Sequence, residues 1–231
     1  MLILGLQKTT LLDYPGKVAS TIFTGGCNFK CPFCHNRDLV FPPADALAYT
    51  EDEIFEHLKK KKKILDGVCI TGGEPTLHKD LPAFIEKIKN LDLLVKLDSN
   101  GTNPTMLKQL VLSGLVDYVA MDIKQSQEKY NTIANMEHFN LKAIEESVQF
   151  LKQNHVDYEF RTTIMKECHE DDDIQAIGQW LEGANAYYLQ SYKESEQVIN
   201  PIFSPHTTET LQHFVEILKP YIPNTYLRGI D

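Results

Sequence analysis

The chain has 231 residues, of which 42% are apolar and 24% charged, and it carries a formal net charge of -9. This length and composition fit one globular domain over 1–231 with a substantial buried core, and the acidic balance excludes nucleic acid as the main partner, because phosphate neutralisation needs a basic surface. No run approaches the roughly 18 uncharged apolar residues that a membrane helix requires, and the opening MLILGLQKTTLLDYPG lacks the basic start and long apolar stretch of a signal peptide, so a cytoplasmic protein with no membrane partner is expected.

In chain order, a β-branched strand KVASTIFT (17–24) runs directly into GGCNFKCPFCHNR, where Cys27, Cys31 and Cys34 cluster and His35 follows the third thiol. A helix is predicted over 51–65. Thr50 and Glu53 have capping-box spacing, acidic residues fill the first turn, and Lys59 to Lys63 fall near the end, where they complement the helix dipole. The lysine run therefore reads as a solvated helix end, the alternative being a dock for an acidic partner. Strand GVCIT (67–71) leads into TGGEP, and a helix near 80–90 starts at Asp80 as N-cap. Strand LLVKLDS (93–99) precedes a helix near 104–114, with Asn103 as N-cap and Pro104 at the first helical position. Strands YVAMDIK (118–124), DYEFRTTIM (157–165) and AYYLQ (186–190) alternate with helices near 140–154, 172–182 and 207–219. Six strands, each followed by helical sequence, imply an α/β fold: an incomplete (β/α)6 TIM-like barrel of parallel strands.

In such a barrel the carboxyl ends of the strands share one face. The cysteine loop, TGGEP, LDSNG and MDIKQ would then converge on one mouth. Clustered thiols in a reduced compartment bind metal or do redox chemistry more often than they form disulfides. Thiolates suit zinc, copper(I) and iron–sulfur clusters. Zinc with His35 as a fourth ligand is one reading, although the adjacent side chains of Cys34 and His35 point apart in most conformations. The other is a [4Fe–4S] cluster held at three irons, with the fourth left open for an exchangeable ligand. Cys69, inside a strand, and Cys168, alone in its loop, cannot supply a second four-cysteine cluster.

The spacing of Cys27, Cys31 and Cys34, with Phe33 before the third, resembles the signature of the radical S-adenosylmethionine (SAM) superfamily, and Gly72-Gly73-Glu74-Pro75 resembles its second motif. The stretch DYPGKVASTIFTGGCNFKCPFCHNRDLV is similar to the activases of glycyl-radical enzymes, in particular anaerobic ribonucleoside-triphosphate reductase activating proteins. The resemblance implies a cluster on the three thiols whose open iron chelates S-adenosylmethionine. One electron then cleaves the sulfonium to methionine and a 5′-deoxyadenosyl radical, which takes a glycine hydrogen from a partner glycyl-radical enzyme. It implies flavodoxin or ferredoxin as electron donor. It also implies that Gly72, Gly73 and Glu74 receive the methionine ammonium, that the backbone around Phe33 and His35 meets adenine, and that Asp98, Ser99, Asp122 and a carbonyl near Ala120 hold a monovalent cation, with Lys124 at the carboxylate end. For Asp98 and Asp122 the plainer alternative is capping of the loops that follow. Formate-lyase-type activases commonly end the last barrel strand in histidine, whereas here Gln190 stands there, a candidate for ribose or adenine contact; Arg161 is a further candidate, or a partner in an internal ion pair. The rivals are activation of another glycyl-radical enzyme such as pyruvate formate-lyase, chemistry on a small molecule as in 7-carboxy-7-deazaguanine synthases, and a non-catalytic zinc module. Anaerobic purification separates the last. The cluster reading predicts a brown protein with near-equimolar iron and sulfide that loses its colour in Cys31→Ala, and a colourless zinc-loaded product would contradict it.

Overall fold

The computed structural model describes residues 1–230. One eight-stranded sheet organises it, with strands paired in chain order: β1 (Ile3–Thr10), β2 (Ala19–Thr24), β3 (Gly67–Gly72), β4 (Leu94–Ser99), β5 (Tyr118–Asp122), β6 (Asp157–Ile164), β7 (Tyr187–Ser191) and β8 (Thr225–Arg228). β1 is antiparallel to β2, and every later pair is parallel. Among the described residues β1 and β8 do not pair with each other, so the sheet curls into a partial barrel that stays open along one side.

The helices are α1 (Arg37–Val40), α2 (Glu51–Lys61), α3 (Leu81–Lys89), α4 (Pro104–Leu112), α5 (Tyr130–Ala134), α6 (Leu141–Leu151), α7 (Asp171–Trp180) and α8 (Thr208–Leu218), with a 3-10 turn at Pro75–Leu77. The six expected strands are β2 to β7. Two strands were not anticipated: β1, in which Gly5 and Lys8 interrupt the apolar pattern, and β8, whose four residues are too few to show an alternation. None of the helices among the described residues is long and apolar enough to cross a membrane.

The parallel strands are buried on both faces, and so read as apolar runs rather than alternations. Val68, Cys69 and Ile70 in β3 and Val95 and Leu97 in β4 are fully buried. Each long helix presents one apolar stripe to the sheet, as Leu81, Phe84, Ile85 and Ile88 do in α3 and Leu211, Phe214, Val215 and Leu218 in α8. Each such side chain contributes about 1.5–3 kcal/mol when fully buried.

Capping follows the sequence with one exception. Thr50 and Glu53 form a reciprocal capping box at the start of α2, and Asn103 accepts the Met106 N–H at 3.2 Å. Asp80 occupies the N-cap position of α3 but makes no capping hydrogen bond; its carboxylate takes the amino terminus of Met1 instead. All five lysines from Lys59 to Lys63 are exposed. Lys60 pairs with Glu56 at 2.6 Å and Lys62 with Asp92 at 2.7 Å, exposed ion pairs that water and salt screen.

One buried titratable group ties two of the active-face loops together. His169 is fully buried between β6 and α7; its Nδ1 accepts the Met165 N–H at 3.2 Å, and its Nε2 lies 3.2 Å from the Lys124 carbonyl, placing the proton on Nε2. Protonating Nδ1 would set N–H against N–H. Burial is the main reason its pKa drops to about 4. The neutral ring therefore stabilises the fold fully above its unfolded value of about 6.5, and the contribution fades as pH falls toward 4, by about 3 kcal/mol in all. Urea midpoints are expected to fall between pH 7 and pH 5, and less so in His169→Gln; an equal fall in the variant would contradict this assignment.

Candidate active site

The carboxyl ends of β2 to β6 deliver their unusual residues to one cleft. Cys27, Cys31, Cys34, Phe33 and His35 line it from the loop after β2, Gly72, Gly73 and Glu74 from β3, Asp98 and Ser99 from β4, Asp122 and Lys124 from β5, and Arg161 from β6. Of the expected side-chain contacts only Gln190 lies off this cleft. It lines a neighbouring cavity that shares His35 and Thr163 with it.

The cysteine loop is fixed by backbone contacts with the turn after β3. Gly73 N–H donates to the Thr24 carbonyl at 2.8 Å and Glu74 N–H to the Gly26 carbonyl at 2.9 Å. A Cβ on Gly73 would lie 2.0 Å from the Gly26 oxygen, and one on Gly72, whose φ is +118°, would lie 2.4 Å from the Thr24 nitrogen. The paired glycines thus seat the thiol-bearing loop, a role additional to any approach of a ligand.

Glu74 is 1% exposed. It accepts four hydrogen bonds: from Thr76 N at 3.1 Å, Thr76 Oγ1 at 2.5 Å, Ser99 Oγ at 3.0 Å and Asn100 N at 2.6 Å. Burial pushes its pKa up, against those four donors. The same corner is laced by amides: Asn100 donates to Asn28 Oδ1 at 2.8 Å, and Asn28 donates to Thr102 Oγ1 at 2.8 Å, joining the cysteine loop to the end of β4. Sequence reasoning missed this link; the only available signal was an asparagine inside each of the motifs CNFKC and LDSNG.

Cys31 is 5% exposed. Burial pushes its thiol up to about 11, and burial together with the Glu74 carboxylate pushes Cys27 up to about 12. Among the described residues no group of three His, Cys, Asp or Glu is gathered so as to hold a metal ion, so neither the zinc arrangement with His35 nor the set of three thiols is preformed as a ligand cage. The His35 ring instead lies against Tyr192, with centroids 5.2 Å apart, and Nδ1 is 3.4 Å from Ser195 Oγ. The hydroxyl of Tyr192 is buried and has no hydrogen-bond partner among the described residues. Phe33 packs edge-on to Phe203, and the Lys124 ammonium sits 5.8 Å from its ring centre.

The two aspartates do not cap loops. Arg161 bridges them: Nε is 2.5 Å from Asp122 Oδ1 and a terminal nitrogen is 3.0 Å from Asp98 Oδ2. Lys124 completes Asp122 at 2.9 Å, and the buried Lys96 pairs with Asp98. Burial opposes ionisation of both carboxylates, yet the Arg161 guanidinium and the two ammonium groups hold them below the usual carboxylate range. Arg161, left open between ligand contact and internal ion pair, is placed by its position in β6, where it stands beside Asp122 in register.

The model of the radical SAM superfamily matches residues 21–181, a span that includes the three thiols, the paired glycines and both aspartates. The chain belongs to the radical SAM superfamily. Membership makes it an enzyme of the radical SAM oxidoreductase kind and brings with it the general use of an iron–sulfur cluster and S-adenosylmethionine. A Methanocaldococcus jannaschii protein provisionally described as a glycyl-radical enzyme activating enzyme is 32% identical, over 100% of this chain and 97% of its own. A pyruvate formate-lyase-activating enzyme of Listeria monocytogenes is 31% identical, over 49% of each chain. Streptococcus suis SuiB bound to its precursor peptide SuiA shares the fold, with a TM-score of 0.71 at 14% identity over 90% of this chain and 48% of SuiB.

If the glycines of this radical SAM chain seat the cysteine loop, Gly73→Ala must displace it. The expected result is a loss of about 1–3 kcal/mol in urea unfolding, the usual range for overpacking, with lowered iron content after reconstitution although all three thiols remain. Full iron content in a stable variant would contradict that role.

Proposed function

We propose that this enzyme activates a glycyl-radical enzyme, specifically an anaerobic ribonucleoside-triphosphate reductase, by removing a hydrogen atom from a backbone glycine of that partner. The observation that carries the activase reading is the similarity to the Methanocaldococcus protein over nearly the whole of both chains. The cofactors proposed are a [4Fe–4S] cluster on Cys27, Cys31 and Cys34 and S-adenosylmethionine, with a reduced flavodoxin or ferredoxin as electron source. When bound, that pair supplies the one-electron chemistry that generates the hydrogen-abstracting radical.

The residues present fit these groups. Three thiols share one cleft with a glycine pair that admits no side chain. The cleft wall is negative at buried Glu74 and positive at Lys124 and Arg161. That polarity suits a ligand with an ammonium and a carboxylate: Gly72, Gly73 and Glu74 take the ammonium end, and Lys124 the carboxylate end. Phe33 and His35 wall the adenine side. Ser195, whose Oγ lies 3.4 Å from His35 Nδ1, the Tyr192 hydroxyl behind His35 and the Gln190 amide in the adjoining cavity are polar groups on that side.

A glycine buried in a partner protein must also reach the cleft. Among the described residues the barrel leaves β1 and β8 unpaired along one side, and a further cavity lined by Leu12, Arg228 and Gly229 shares Asp98 and Arg161 with the cleft. The unpaired side of the barrel supports a polypeptide loop as the substrate.

The test is electron paramagnetic resonance on the reconstituted, reduced enzyme mixed with S-adenosylmethionine and an anaerobic ribonucleotide reductase. A glycyl doublet, absent with Cys31→Ala, is expected. Release of deoxyadenosine without a doublet would show that the partner is a different one.

A further inference from the structure

The resemblance to activases implies a monovalent cation held by Asp98, Ser99, Asp122 and a backbone carbonyl near Ala120. The side chains of this enzyme do not fit that ion, because each expected side-chain ligand is already engaged. Asp98 is held by Arg161 and Lys96, and Asp122 by Arg161 and Lys124. The Ser99 hydroxyl donates to Glu74 at 3.0 Å and accepts the Gly101 N–H at 3.1 Å. Two carboxylates thus face three fixed cations. An alkali ion added to this buried group would meet carboxylates that already have cationic partners and would have to displace a guanidinium from two short ion pairs.

We propose that the Arg161 guanidinium is the resident cation of this site, so that the enzyme needs no alkali metal ion. Its chemistry suits the place. A guanidinium is planar, charged at every relevant pH and less strongly hydrated than an ammonium, and its fork can serve two carboxylates at once. It also comes covalently attached to β6, next to Asp122 in the sheet register. Arg161 acts as a positioning residue, setting Asp122 and, through it, Lys124. Its importance for cofactor binding rests on the radical SAM reading of the cleft, whereas its role as the cation does not.

The experiment compares potassium chloride with tetramethylammonium chloride at equal ionic strength. The cluster-free wild-type protein is expected to melt at the same temperature in both. A potassium-specific rise of more than about 3 °C would show a bound alkali ion and overturn the proposal. Arg161→Ala, which leaves the carboxylates without their bridge, is expected to melt lower and to regain roughly 2–4 °C or more on adding potassium or sodium. A folded variant indifferent to both ions would overturn it. If the variant does not fold, the wild-type comparison decides. With reconstituted enzyme, the S-adenosylmethionine Kd should change by less than about twofold between the two salts, and a tenfold weakening without potassium would overturn the proposal. Absence of S-adenosylmethionine binding in either salt would instead count against the proposed function, leaving the melting result to judge the cation.

Discussion

The contact on which the rest of the cleft depends is the approach of two backbones, where the Glu74 N–H meets the Gly26 carbonyl at 2.9 Å with no Cβ on Gly73 to intervene. It joins the end of β3 to the loop after β2. Because β2 and β3 are parallel and in register up to Thr24 and Gly72, the two segments leave the sheet at the same height. The Glu74 carboxylate then turns outward from this junction to collect Ser99 and Asn100 from the end of β4. Three strand ends are locked together by one residue triplet. The cleft therefore has a rigid side before any cofactor enters it.

The opposite side is organised by charge rather than by backbone contact. Lys96 and Asp98 from β4, Asp122 and Lys124 from the β5 end and Arg161 from β6 form a chain of ion pairs inside the barrel. Removing either aspartate would leave a buried ammonium unmatched, which costs far more than the pair contributes when intact. Such an arrangement favours a fixed geometry over raw stability. His169 extends the order outward by holding the Lys124 carbonyl.

How much of this was visible in sequence depended on the range of the interaction. The six parallel strands were legible because burial on both faces gives uninterrupted apolar runs, as in VCI of β3. The thiols, the glycine pair and the two aspartates stood out as rare residue types at strand ends. β1 stayed hidden because its pairing with β2 carries irregularities at Gly5 and between Gln7 and Thr10, which erase a regular period. The Arg161 bridge and the Asn28 to Asn100 link could not be read at all, since each depends on which residues become neighbours across strands. Asp80 shows the converse: its position matched a cap, but the amino terminus of Met1 competed successfully for its carboxylate.

The unpaired seam has a cost of its own. A barrel that leaves two strand edges bare exposes main-chain donors and acceptors along both, the usual template for unwanted joining of one molecule to another. The two edges are poorly suited to that. β8 offers only four residues, ending in an arginine whose guanidinium is engaged by Glu159 and lies 3.4 Å over Tyr188. The register of β1 breaks twice along eight residues, and Lys8 lies in its exposed stretch. The irregularities that concealed β1 in the sequence thus guard the molecule against self-association, and a straightened, more regular first strand would make a more aggregation-prone protein.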